Sequence, residues 1–414
     1  MRLARRQIAA LLVLALVAGL LAAGRWYDVR RAAPEALAGS NTVTVRVTNG
    51  ADRGPGTLRE ALFVVATAPG PARITLVVPR VVLETPLPPI VNSHGIAIVA
   101  HPGAGEIDAH LLSGAVPVLD IAAANASLSG LSLSSCPGAG ILVRAVRFRL
   151  ESSTLQGCDV GVDVAENAAD LLITRNRFAN DRVGVRFAAS SRNTAVVAND
   201  FVGAKDAGIW AVRSDADVHG AAISVRDNRF DRDHAGIVTG NIAIVIEHNE
   251  LTGAQDAAVH LLGAGSVVRG NRVSGGPGMG IVAEGASAAV IENNELDGLA
   301  AYGILVRGSA STLLRANRLY NCAYGMGFVL GNARNPSTAV DNTIIEPRYD
   351  GIDVVGDSPI LRRNHVLRPH AFALRVENFQ PPTGAPVRAA PFLDGNFFGA
   401  PAAVAASDNR PRRQ

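Results

Sequence analysis

Lysine is nearly missing from this chain: Lys205 stands alone among 414 residues, so almost all of the 39 basic side chains are arginines. Aromatic residues are scarce too, at 5%, and two tryptophans with five tyrosines cannot furnish a large aromatic core. The three cysteines form no Cys-x-x-Cys pair and have no histidine partners, which argues against a metal site, and nothing in the sequence implies a cofactor. Nor does the body of the chain carry an excess of positive charge. Nine of the 39 basic and three of the 36 acidic residues lie in the two ends, leaving 30 basic against 33 acidic groups between residues 36 and 407. No nucleic-acid partner is therefore expected on grounds of charge.

Long apolar runs are also absent, with one exception. Ile8 to Gly24 is uncharged, follows Arg2, Arg5 and Arg6, and ends in small residues, the pattern of an export signal. At 17 residues it sits at the lower limit for a membrane span, and Arg25-Trp26-Tyr27 follows it as an interfacial anchor would. A cleaved signal and a retained inner-membrane anchor through residues 8–24 both stay open, and either implies a periplasmic, cell-surface or secreted protein. The chain divides into an export segment with linker at 1–35, a body at 36–400 and a disordered basic tail at 401–414. The oligomeric state has no signature in the sequence.

The body is a repeat. An Asn, a variable residue and an apolar residue recur at Asn176, Asn199, Asn228, Asn249, Asn271, Asn294, Asn317, Asn342 and Asn364. Gly followed by an apolar residue runs in phase with it, as in Gly140-Ile141, Gly161-Val162, Gly184-Val185 and Gly303-Ile304. Between these marks lie apolar runs too short for helices, such as Leu171-Leu172-Ile173, separated by Asn, Gly and Asp turns. Three short strands per coil follow, and a single coil cannot bury its own apolar face. Successive coils therefore stack in parallel at ~4.8 Å. Through the Gly-Ile-x-Val and Asn-x-Phe phrases over roughly residues 115 to 400, the chain resembles the right-handed parallel β-helix proteins of the pectin-lyase-like superfamily. The resemblance implies an all-β fold, one right-handed parallel β-helix of about a dozen coils, with Asn49 to Leu62 as its short N-terminal capping helix. The nine Asn in register read as a structural ladder, and the repeated Gly as a site of positive φ or close stacking. Cys136, Cys158 and Cys322 share one stack; they read more readily as small buried hydrophobes than as a disulfide.

Chemistry is sought where an outward position turns polar. The residue after each Gly-apolar pair should point away from the interior because its neighbours point in. Along the chain that line reads Leu142, Asp163, Arg186, Trp210, Val238, His260, Val282, Leu305, Gly327, Asp353 and Arg375. Four residues earlier, in the adjoining turn, stand Asp159, Arg182, Asp206, His234 and Asp256. Trp210 suits stacking on a sugar ring; Arg182, Arg186, Asp163 and Lys205 suit binding it. His234 between Asp206 and Asp256, or His260, suits proton transfer next to a uronate carboxylate, the step of a lyase or C-5 epimerase. Those activities are common among similar β-helix proteins, although no catalytic motif of a mannuronan epimerase, pectate lyase or polygalacturonase is present. The expected partner is an acidic polysaccharide. A non-catalytic β-helix that binds glycan or an envelope protein is the alternative. A solvated charged face accounts for the same residues without any ligand. Asp215-x-Asp217 and Asp231-x-Asp233 offer oxygen ligands, but short acidic pairs in loops are usually solvated. Tyr302, Tyr324, Tyr349 and Phe372 near Asp353 and Arg375 form a second aromatic group, fit for a glycan groove or an interface.

Overall fold

The computed structural model describes residues 41–399 apart from 167, 189–190, 213–222, 241 and 333, together with the backbone of 404–406. The export segment, the Asp215-x-Asp217 loop and nearly all of the basic tail lie outside the described residues. Two compact units divide the chain between His234 and Ala235.

The first unit is a parallel β-solenoid whose strands fall into three sheets. One runs from Val43–Val47 to Ile223–Arg226, a second from Arg80–Val82 to Arg229–Asp231, and a third from Leu119–Ile121 to Ala207–Val212. The pairing is in register: Ile141, Val162, Val185 and Ile209 stand one above another, all fully buried. Each such side chain contributes roughly 1.5–3 kcal/mol by leaving water. Phe178, Phe201 and Phe230 form a second interior stack, with ring centroids 4.8 and 4.7 Å apart. The coil spacing thus puts successive rings in van der Waals contact. Gly161 and Gly184 are required by closeness rather than by backbone angle. A Cβ on either would lie 2.5 or 2.6 Å from the carbonyl oxygen of the next residue in the stack and against a phenylalanine ring.

The helix of this unit is Leu58–Ala66, shorter and later than the expected segment. Gly54 and Gly56 take φ of +105° and +75° around Pro55, so the run from Asn49 to Gly56 is a loop. Thr57 caps the helix by accepting from the Glu60 N–H, while Glu60 accepts in return from the Gly56 N–H. The helix buries Leu58, Ala61, Leu62 and Val65. Its companion strand Val43–Val47, paired with Ala72–Leu76, was not anticipated.

The second unit repeats the plan. Its three parallel sheets run from Ile244–Glu247 to Phe392–Asp394, from Glu250–Thr252 to Phe397–Phe398, and from Ala235–Gly240 to Val404–Ala406. Ile237, Val259, Ile281, Ile304, Met326, Ile352 and Leu374 form its buried stack. Leucine, isoleucine and valine replace phenylalanine at the other interior position.

The asparagine ladder exists in both units. Asn176 donates from its backbone N–H and from Nδ2 to Asn199 Oδ1, and the second unit carries the same double bond from Asn271 through Asn294, Asn317, Asn342 and Asn364 to Asn396. The cysteines depart from expectation. Cys136 and Cys158, neighbours in one stack, are joined as a disulfide, because the coil spacing brings their Cα atoms to 4.2 Å. Cys322 remains free and buried, and burial pushes its thiol up to about 11, so it is not a reactive thiolate.

Candidate functional site

In the first unit the outward line is Asp120, Leu142, Asp163, Arg186 and Trp210, each beside the next in the register. The strands Val160–Val164 and Val183–Phe187 alternate, so Val162, Val164, Val185 and Phe187 fill the interior while Asp163 and Arg186 emerge. Arg186 donates Nε to Asp163 Oδ1 at 2.9 Å and Nη2 to Oδ2 at 2.6 Å, a two-pronged pair that leaves Nη1 without a partner among the described residues. In the adjoining turn Arg182 bridges two carboxylates: Nε reaches Asp159 Oδ1 at 2.6 Å and Nη1 reaches Asp206 Oδ2 at 2.7 Å. Those bonds hold the Asp159 carboxyl below its ordinary range, and the bonds that Arg186 donates to Asp163 push the guanidinium up.

Trp210 is half-buried beside Arg186, and Lys205 is exposed. His234 is exposed; its backbone N–H donates to the Ala204 carbonyl, and its ring has no hydrogen-bond or ion-pair partner among the described residues. The rim expected at residues 213–220 lies outside the described residues. Of the Asp231-x-Asp233 pair, Asp233 is buried with its Oδ1 held by the Ala204 N–H, which removes it from any solvated pair. The structure thus joins Asp159, Arg182 and Asp206 in one network and Asp163 with Arg186 in another. Both arginines are committed to protein carboxylates, apart from the Nη1 edge of Arg186.

In the second unit His260 Nε2 lies 3.2 Å from Glu284 Oε2, an acceptor not anticipated from the sequence, and Asp256 is exposed. Most of the line in this unit is not outward: Val238, Val282, Leu305, Gly327 and Asp353 are buried, and only His260 and Arg375 are partly exposed. Val282 and Leu305 are buried with Ala257 in a second apolar cluster, over which Met279, Tyr302 and Val329 pack. The expectation of a solvent-facing line fails here because tyrosines cover it. Tyr302, Tyr324 and Tyr349 stack with centroids 4.7 and 5.1 Å apart. The Tyr302 ring lies over Gly327, where a Cβ would come within 2.7 Å of it, and its hydroxyl donates to Asp353 Oδ2 at 2.6 Å. Burial pushes the Asp353 carboxyl up despite that bond, and burial with the nearby carboxylate pushes the Tyr302 phenol up, so Tyr302 stays a donor. Asp350 Oδ1 accepts from the Phe372 N–H, and Arg375 pairs with Glu377 and with Asp350. The sequence signal for the contact between Tyr302 and Asp353 was Gly327, the single glycine on the line between Leu305 and Asp353.

No helix among the described residues is long and apolar enough to cross a membrane. The family model described as right handed beta helix region matches residues 90–223 and 216–366. No curated protein matches the chain. Among solved structures, the surface adhesin PfbA of Streptococcus pneumoniae superposes with a TM-score of 0.52 at 11% identity, over 80% of this chain and 90% of the adhesin. A PL6 alginate lyase in complex with a trisaccharide gives 0.52 at 11% identity, over 89% and 87% of the two chains. The tailspike of E. coli bacteriophage HK620, in complex with a pentasaccharide, gives 0.51 at 14%, over 87% and 80%. At such identities the likeness is one of fold, a fold shared by enzymes acting on polysaccharide and by adhesins and tailspikes.

Proposed function

The chain belongs to the right-handed β-helix family, and from that premise we propose that it is an exported protein that binds an acidic polysaccharide. The observation that carries this reading is the stacking of Asp163, Arg186 and Trp210 on one face of one sheet, with Arg186 Nη1 without a partner among the described residues. A uronate carboxylate accepts from that free edge while an adjacent sugar ring rests on Trp210. The Arg182 network and Lys205 flank the ligand, and the bond between Arg186 and Asp163 fixes the guanidinium before binding. Export is supported by the arginine-led apolar segment and by the disulfide, which needs an oxidising compartment.

A second reading makes the protein a lyase or C-5 epimerase. It is favoured by one feature: the His234 ring is exposed and has no partner among the described residues, so it could take a proton from a bound sugar. In this reading Arg186 neutralises the uronate carboxylate, and Asp206, in the same unit, assists His234.

One screen tests both. The secreted chain is offered alginate and polygalacturonate, and binding, ultraviolet absorbance of unsaturated product and deuterium exchange at C-5 are recorded. The first reading expects binding that Trp210→Ala weakens by about tenfold or more, the scale of one lost aromatic anchor. The second expects unsaturation or exchange that His234→Ala abolishes with binding retained. Wild-type behaviour of Trp210→Ala toward every uronate polymer it binds, or no binding at all, removes the acidic-polysaccharide reading.

A further inference from the structure

The tyrosine stack of the second unit ends in an open ring beside an unsatisfied buried acceptor. Tyr349 closes the stack with 54% of its surface exposed. Asp353 is 8% exposed; Tyr302 fills its Oδ2, while Oδ1 has no partner among the described residues. A buried carboxylate oxygen without a donor is destabilising, and a ligand hydroxyl would satisfy it. Around it Asp350, Asp353 and Glu377 set three carboxylates against the one guanidinium of Arg375. That balance repels a uronate or a sulfated sugar and favours a ligand that brings hydroxyl donors without negative charge.

We propose that this cluster is a second carbohydrate subsite, which takes an uncharged pyranose stacked on Tyr349, with ring hydroxyls donating to Asp353 and Glu377. Arg375, with a side chain 42% exposed and next to Asp353 in the register, is the residue that moves to admit the sugar. Tyr302 holds Asp353 in place from beneath, so the acceptor is positioned before the ligand arrives. The subsite is independent of the acidic-polymer reading, whose residues lie in the first unit.

The test uses the full chain with three uncharged probes, cellohexaose, maltohexaose and chitin hexasaccharide, and with an oligogalacturonate as the charged one. Calorimetry measures affinity and saturation-transfer NMR reports the contact. At least one uncharged probe should bind, and Tyr349→Ala should weaken it by about tenfold or more while Tyr349→Phe, which keeps the ring, should not. Trp210→Ala should leave this binding unchanged, and Tyr349→Ala should leave any uronate binding unchanged, which separates the two sites. Failure of all three uncharged probes to bind, indifference to Tyr349→Ala, or displacement of the neutral sugar by the oligogalacturonate overturns the assignment.

Discussion

Replacing Asn294 by alanine should cost on the order of 4 kcal/mol of stability, and replacing it by aspartate should cost more at neutral pH. Asn294 is 1% exposed. Its Oδ1 accepts from the backbone N–H and from Nδ2 of Asn271, both at 3.0 Å, while its Nδ2 donates to the Val268 carbonyl at 2.9 Å and to Asn317 Oδ1 at 3.0 Å. Alanine leaves the buried backbone N–H of Asn271 unanswered, at about 1–3 kcal/mol. Asn271 Nδ2 keeps the Ile246 and Arg269 carbonyls, but the Val268 carbonyl and Asn317 Oδ1 each lose the Asn294 Nδ2 donor, at about 0.5–1.5 kcal/mol apiece. Aspartate keeps the accepting oxygen but turns the donor edge into a second acceptor facing two acceptors, and it places a charge in the interior. Denaturant unfolding followed by circular dichroism should rank wild type above Asn294→Ala and that above Asn294→Asp. An aspartate variant as stable as wild type at neutral pH would falsify the directional ladder.

That ladder was legible in the sequence because its period is carried by identity: the same residue returns at the same place in each coil, from Asn176 to Asn364. The inward stack and the register of the outward line were legible for the same reason, and the structure pairs Asp163 with Arg186 and Arg186 with Trp210 as the spacing requires. What failed was whatever side-chain reach decides. Charges in register show that Arg182 and Arg186 stand near carboxylates, but not that those carboxylates engage all three nitrogens of Arg182 and two of the three of Arg186. Tyr302 covers a line assumed to be open by reaching Asp353, 51 residues away, and no periodicity announces a contact that skips a coil. The strand Val43–Val47 precedes the first repeat of the phrase and so carries none of its marks. Cys136 and Cys158 shared a stack on spacing alone, yet spacing could not distinguish a bond from two buried thiols.

Raising the pH from 5 to 8 should lower the melting temperature of the wild-type chain, and Asp181→Asn together with Asp233→Asn should flatten that fall. Both residues are 1% exposed in the first unit. Asp181 Oδ1 accepts from the Cys158 N–H at 2.7 Å and Asp233 Oδ1 from the Ala204 N–H at 2.7 Å, while the Oδ2 atom of each has no partner among the described residues. Burial pushes Asp181 up to about 8 and Asp233 up to about 7, from 3.8. The sign follows from where the proton sits. Between about pH 4 and pH 7 the folded chain keeps both protons and the unfolded chain releases them, so rising pH favours unfolding. Each unit of pH in that window is worth about 1.4 kcal/mol per group, so the two together amount to several kcal/mol. Asparagine reproduces the protonated acid: it keeps the accepting oxygen and cannot ionise. The double variant should therefore gain stability at pH 8 and change little at pH 5, as differential scanning fluorimetry across the range would report. A melting temperature that climbs from pH 5 to pH 8 in the wild type would exclude both raised values.

The repeat also sets how this chain can change length. From Asn271 to Asn364 every asparagine meets the same partner, the asparagine one coil further on, so a whole coil gained or lost by duplication or excision leaves the kinds of neighbour unaltered. A single inserted residue has no such freedom, since it would turn the next strand inside out. Tyr302 and Asp353 are the exception to that indifference. Their bond passes over Gly327 and closes only when one coil separates them. In an otherwise uncounted stack this tyrosine acts as a gauge, since a coil gained or lost between Tyr302 and Asp353 would break their bond.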